Sequence, residues 1–249
     1  MNKIPGWLPG LDQDLFNLIL GSQDRGDLTE LGAYMGQSAV VIGAHCRQGE
    51  RFLVIDLFGS DADDPANALE NANEYRSLNR QSFERYYRRV HRRLPEVVQG
   101  RSDLLPCHVT PGSQRFVHVD ASHLFKQVVV DIKNAHTSLM DDGVLVLDDY
   151  RSMHTPGVSA AAWSAVGAGL RPFALTPQKM YATWGDASRY GSLVENWAAL
   201  HGQPFERQAI YGESVVRLKP RPGRGPTRII RRRVRSTLSA VTGRRGQGD

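Results

Sequence analysis

Between Leu28 and Ile42 a short apolar start leads through Glu30-Leu31-Gly32-Ala33-Tyr34-Met35-Gly36-Gln37-Ser38 into the apolar run Ala39-Val40-Val41-Ile42. This order reads as a strand, a glycine-bearing turn and a helix. Gly32 and Gly36 let the backbone turn sharply and approach a ligand where a Cβ would clash. Glu30, at the strand end, puts a carboxylate at the mouth of the turn. Asp56 ends the next apolar strand, where nucleotide-binding α/β folds use an acid to hold ribose hydroxyls. A third glycine, needed for the G-x-G-x-x-G dinucleotide pattern, is missing. Tyr34 and Met35 stand where a pyrophosphate requires bare backbone, which argues against a dinucleotide-dependent oxidoreductase.

The rest of the chain continues the alternation. Apolar runs predict strands near 28–32, 51–57, 95–99, 115–120 and 143–149, with helical spacing at 36–47, 64–93 and 122–140 between them. Near-continuous apolar strands such as Val144-Leu145-Val146-Leu147 fit a parallel sheet buried on both faces. A further helix is expected at 157–168, then a hairpin-like pair of strands near 172–176 and 179–184. Residues 11–20 have helical apolar spacing and cover one edge, behind a turn-rich lead-in, Ile4–Gly10, placed to lie over a site. The expected organisation is an N-terminal helical or lid segment at 1–27, one α/β domain at 28–218 and a basic tail at 219–249. Within the domain, 61–93 is long for a crossover and rich in Asn, Tyr and Arg, so it is a candidate acceptor-binding arm.

Charge divides sharply. The chain has 249 residues and a net charge of +5, but residues 219–249 hold ten Lys and Arg against one acid. The remainder carries 21 basic and 25 acidic residues, so the body has no nucleic-acid footprint. Within the tail, Ile230, Val234, Leu238 and Val241 form a stripe among arginines, suited to an anionic membrane surface or an acidic partner. Two cysteines, Cys46 and Cys107, cannot build a disulfide framework and suit a reducing cytoplasm, with Cys46 read as a buried residue late in a helix. No apolar run approaches the ~20 residues of a membrane span.

A second constellation lies at two strand ends, Val117-His118-Val119-Asp120-Ala121-Ser122-His123 and Leu147-Asp148-Asp149-Tyr150. In a parallel sheet both project at the edge that carries Glu30 and Asp56. Three carboxylates from neighbouring strands repel one another, and a divalent cation resolves this. Oxygen ligands favour Mg²⁺, with Mn²⁺ or Ca²⁺ as alternatives. His123, three residues past Asp120, is the candidate general base, and His154 is a second candidate. His118 alternates into the sheet and reads as core.

The Glu-Leu-Gly-Ala-Tyr-x-Gly-x-Ser string resembles motif I of class I S-adenosylmethionine (SAM) methyltransferases in its catechol O-methyltransferase form. The Asp-x-x-His and Asp-Asp-Tyr strings are similar to those of bacterial sugar O-methyltransferases. The resemblance implies a Rossmann-like fold with a seven-stranded, mostly parallel sheet and helices on both faces. It implies SAM held by Glu30, Gly32, Tyr34, Gly36, Ser38, Asp56 and Asp120, with Ser102 or Asp103 flanking the adenine, and a metal on Asp120, Asp148 and Asp149. Catechol-type enzymes have a lysine at the His123 position and Asp-Asn at the end of strand five, so a catechol acceptor fits this chain less well. The expected function is a cytoplasmic, homodimeric SAM- and Mg²⁺-dependent O-methyltransferase. Its acceptor would be a small molecule or oligosaccharide bearing a sugar hydroxyl, such as a methylated mannose polysaccharide precursor. A phenolic methyltransferase and a SAM-binding scaffold without turnover are the alternatives.

Overall fold

The computed structural model describes residues 4–59 and 79–221. Among these residues nine strands form one sheet in the order β3-β2-β1-β4-β5-β7-β6-β9-β8, two more than the seven expected. Strands β1 (Asp27–Leu31), β2 (Phe52–Asp56), β3 (Glu96–Gln99), β4 (Gln114–Val119) and β5 (Leu139–Leu147) pair in parallel. After β6 (Arg171–Leu175), β7 (Met180–Thr183) reverses direction and inserts between β5 and β6, antiparallel to both. The expected hairpin-like pair is therefore present.

The two extra strands are β8 (Phe205–Ile210) and β9 (Glu213–Leu218), with β9 running parallel to β6. They are joined by Tyr211 and Gly212, with φ of 49° and 82°. A two-residue loop with both φ positive matches the twist of a tight hairpin. Asp186 caps another helix the sequence reading lacks, α7 (Ala187–Leu200), by accepting hydrogen bonds from Ser188 N and Arg189 N.

The strands read as continuous apolar runs because alternate residues enter different cores. Leu28, Val54, Phe116, Val144 and Val146 face α1 (Gly10–Ser22), α2 (Gln37–Gly43), α3 (Arg80–Tyr87) and α7. Leu31, Leu53, Ile55, Val117, Val119, Leu145 and Leu147 face the short α4 (Leu105–His108), α5 (Phe125–Ser138) and α6 (Pro156–Gly167). Helices thus cover both faces, as the apolar strands require.

Some boundaries move. The helix expected at 64–93 falls largely outside the described residues, and α3 is its described part. The tail beyond 221 also lies outside them. The helix expected from 122 begins only at Phe125, so His123 sits in the preceding loop. Cys46 lies beyond the end of α2, half-buried rather than buried, and both cysteines are free thiols. No helix among the described residues is long and apolar enough to cross a membrane.

Candidate active site

At the carboxyl edge of the sheet, the glycine turn packs against the end of β4. Gly32 has a φ of 80°, and a Cβ there would stand 2.1 Å from the Asp120 carbonyl oxygen. The glycine is thus demanded by the approach of two backbones as well as by conformation. Gly36, with a φ of 89°, faces the Phe83 ring. Tyr34 also takes a positive φ, 50°, and its ring lies 4.9 Å from that of Trp7. Leu8 N donates to Gln37 Oε1 at 2.9 Å, so the lead-in is fastened along this turn. Ser38 lies in the first turn of α2, partly exposed.

Asp56 is committed to the turn itself. Its Oδ2 accepts from Ala33 N (2.6 Å) and Tyr34 N (2.9 Å), and its Oδ1 from Phe58 N (2.6 Å). Burial raises its pKa despite these three bonds. Three of about four lone-pair sites are used, so a ribose would meet a carboxylate already largely satisfied. Glu30 is buried rather than placed at the mouth of the turn. Its Oε1 bonds His118 Nδ1 at 2.9 Å, and its Oε2 has no hydrogen-bond partner among the described residues.

Beside β3, Asp103 pairs with Arg101 at 2.7 Å and remains partly exposed. Ser102 is buried and accepts from Gln127 Nε2, which also donates to Asp131. Asp131 Oδ2 has no hydrogen-bond partner among the described residues, and burial raises this carboxyl to about 6. A carboxyl with a raised folded pKa contributes stability below its unfolded value, about 4. That contribution is lost as pH climbs through 6. Asp131→Asn is therefore expected to raise the melting temperature at pH 7.5, by the equivalent of about 1–3 kcal/mol, and to change little at pH 4. An equal shift at both pH values would remove the burial argument.

The central feature is a polar row on the α1 side of the sheet, buried at His118 and half-buried at Asp120 and Asp148. Phe116, His118 and Asp120 alternate onto this side of β4, and Val144, Val146 and Asp148 onto the same side of β5. The register pairs His118 with Val146, which brings Asp120 and Asp148 side by side just beyond the strands. Burial and the Asp148 carboxylate beside it hold Asp120 well above the usual carboxylate range. Asp148 stays below that range, because Lys179 and then His118 outweigh its burial.

Lys179 was not singled out from the sequence. It is buried, with Nζ 2.6 Å from Asp148 Oδ2 and 3.2 Å from His118 Nε2. The pairing of Leu147 with Met180 across β5 and β7 is what sets Lys179 opposite Asp148. Burial alone would discharge the ammonium, but Asp148, Asp120 and Asp12 hold its pKa above the ordinary value. Asp12 reaches in from α1, bonded to the Tyr181 hydroxyl, and burial lifts it to about 6.

The expected aspartate triad divides. The potential ligand atoms within 4.8 Å of one another among the described residues belong to His118, Asp120 and Asp148, not Asp149. His118 is an unsuitable ligand, since Nδ1 faces Glu30 and Nε2 faces the Lys179 ammonium. It is buried as expected, but as a hydrogen-bonded member of the row. Asp149 turns outward with a φ of 53°, and its N donates to Asp148 Oδ1 at 2.8 Å. Its Oδ2 lies 3.5 Å from His123 Nε2. The His154 ring is 6.0 Å from that of His123, with His154 Nδ1 on Ser152 Oγ at 2.9 Å. His123 reaches Asp149 through loop geometry: a Cβ on Gly157 would lie 2.6 Å from the His123 carbonyl, so the start of α6 presses on this loop.

Taken together, the carboxylates fit a hard divalent cation. Asp120 and Asp148 set two carboxylates against the single Lys179 ammonium, and burial, with the Asp148 charge beside it, raises the Asp120 pKa, a cost that a cation there would relieve. A cavity of about 300 Å³ opens at the opposite ends of β4 and β5, beside Arg115 and Met140, and none of the candidate residues lines it.

Residues 29–150, from β1 to the residue after Asp149, match a sequence family described as a methyltransferase domain. No protein of curated function is a significant match. Among solved structures, the O-methyltransferase NovP superposes with a TM-score of 0.56 at 19% identity, covering 70% of this chain and 81% of that one. Cofactor-bound Rv0187 from MTB gives 0.52 at 18% identity, covering 74% and 85%. CalS11, described as a calicheamicin methyltransferase, gives 0.51 at 17% identity, covering 71% and 78%. At these identities the likeness is one of fold, and the shared fold is a Rossmann-like α/β fold.

Proposed function

We propose that the protein is a SAM- and Mg²⁺-dependent O-methyltransferase that methylates a hydroxyl of a sugar, glycoside or oligosaccharide. The observation that carries this reading is the packing of the Gly32 turn directly on Asp120. The donor-binding turn then adjoins the Asp120–Asp148 pair and the His123–Asp149 pair. The acceptor class rests on the sugar-type Asp-x-x-His and Asp-Asp-Tyr strings, and the O-methyltransferase NovP shares the fold.

When bound, SAM would supply a sulfonium-activated methyl group, and Mg²⁺, which Asp120 and Asp148 would hold, would supply Lewis acidity toward the acceptor hydroxyl. The chain itself aligns the acceptor and removes its proton. With Nε2 turned to Asp149, His123 takes that proton at Nδ1, while the Asp149 carboxylate orients the ring and stabilises the imidazolium. His154 lies beyond, and burial, then Asp148, raises the Asp149 pKa against the pull of both imidazoles.

Calorimetric titration with SAM, with and without Mg²⁺, beside a screen of sugar and catechol acceptors, tests the reading. Mg²⁺-dependent methylation of a sugar supports it, and absence of SAM binding removes it. His123→Ala is expected to lower kcat/KM roughly 100-fold or more near neutral pH, with the gap narrowing as pH rises. His154→Ala should change the rate far less. A wild-type pH profile in the His123 variant would dismiss it as the base.

A further inference from the structure

The aspartates at this edge face a competitor for any cation they bind. Lys179 Nζ sits 2.6 Å from Asp148 Oδ2, while Asp148 Oδ1 accepts the Asp149 amide, so both oxygens of this carboxylate are already engaged. The ammonium is buried, pinned between β5 and β7, and backed by His118 Nε2 at 3.2 Å. Asp12 faces it from α1, and Asp120 from the end of β4. Lys179 thus stands inside the carboxylate cluster as a permanent resident cation.

We infer that Lys179 is a positioning residue that competes with the divalent cation for Asp148, keeping the cluster folded without the metal and the metal weakly held. This rests on the cation reading given under Proposed function. In the unloaded protein the ammonium supplies the charge that Asp148 needs. On loading, the cation would draw chiefly on Asp120, and Asp148 would be shared between ion and ammonium. The arrangement favours an exchangeable ion over a locked structural one. A residue that was merely structural would, when removed, loosen the site and weaken every ligand.

The competition predicts the opposite sign. Removing a positive charge a few ångströms from a cation site strengthens binding there by roughly tenfold or more, even with substantial screening. The test uses full-length protein and Mn²⁺ as the probe, read by electron paramagnetic resonance of free Mn²⁺ and by thermal melting. Lys179→Met should bind Mn²⁺ at least tenfold more tightly than wild type, whereas Lys179→Arg, which keeps the charge, should not. Lys179→Met should also be destabilised without metal, because Asp148 loses its partner. Mn²⁺ should then raise its melting temperature more than it raises that of wild type, since an ion that binds only the folded state stabilises it. If the variant is unfolded without metal, added Mn²⁺ should fold it. Weaker or equal binding in Lys179→Met, or failure of Mn²⁺ to stabilise it, while wild type binds Mn²⁺, overturns the competition and leaves the cation reading intact. Binding to neither protein overturns the cation reading and the competition with it. Binding to Lys179→Met alone supports the competition and removes the metal from the native reaction.

Discussion

Gly32→Ala is expected to destabilise the protein by more than about 3 kcal/mol and to abolish SAM binding. Two costs combine. A φ of 80° strains any residue with a Cβ by about 1–2 kcal/mol, and here that Cβ would lie 2.1 Å from a backbone carbonyl oxygen that cannot swing aside. Gly112→Ala separates the costs. Gly112 has a φ of 69°, yet a Cβ there would meet no atom of the described residues within 4 Å. It should lose only the conformational term. Thermal unfolding of the two variants checks this, and similar losses would show that the close approach of the Gly32 turn to Asp120 is unimportant. Gly36→Ala should fall between them, because its obstacle is the Phe83 ring, which can shift by a few tenths of an ångström.

Local sequence carries part of this architecture. The parallel half of the sheet was legible because its strands are buried on both faces, which makes Val144 to Leu147 apolar without interruption. β8 and β9 were not, because Phe205–Ile210 is a half-exposed edge strand bearing Glu206 and Arg207. The positive-φ pair Tyr211-Gly212 was the available signal. Asp186, two residues before Ser188, likewise announced α7. At the site, Asp120 and Asp148 were readable because each follows its strand by one residue and the strands are neighbours. The triad was not, since alternation and the positive φ of Asp149 carry that side chain out of the polar row and toward His123. Lys179 left no local trace. It is a single lysine between Gln178 and Met180, and only the reversal of β7, pairing Met180 with Leu147, places it on Asp148. A contact of that kind belongs to topology rather than to a motif.

That contact changes what loss of Asp148 should do. A carboxylate that served only as a metal ligand could be removed with activity lost and the fold intact. Here Asp148→Ala leaves a buried ammonium without its 2.6 Å partner. Breaking a buried ion pair from one side costs about 3–5 kcal/mol, because the remaining charge stays desolvated. Asp148→Ala should therefore lose methyl transfer and also a large share of its stability. Adding Lys179→Met to it should restore much of the stability, since no uncompensated ammonium remains, yet restore none of the activity. The readouts are a double-mutant cycle in thermal or urea unfolding, with methyl transfer assayed on each folded variant. Additive stability losses in the double variant would mean that Lys179 and Asp148 are not coupled. Recovery of activity together with stability would mean that Asp148 serves the fold and not the chemistry.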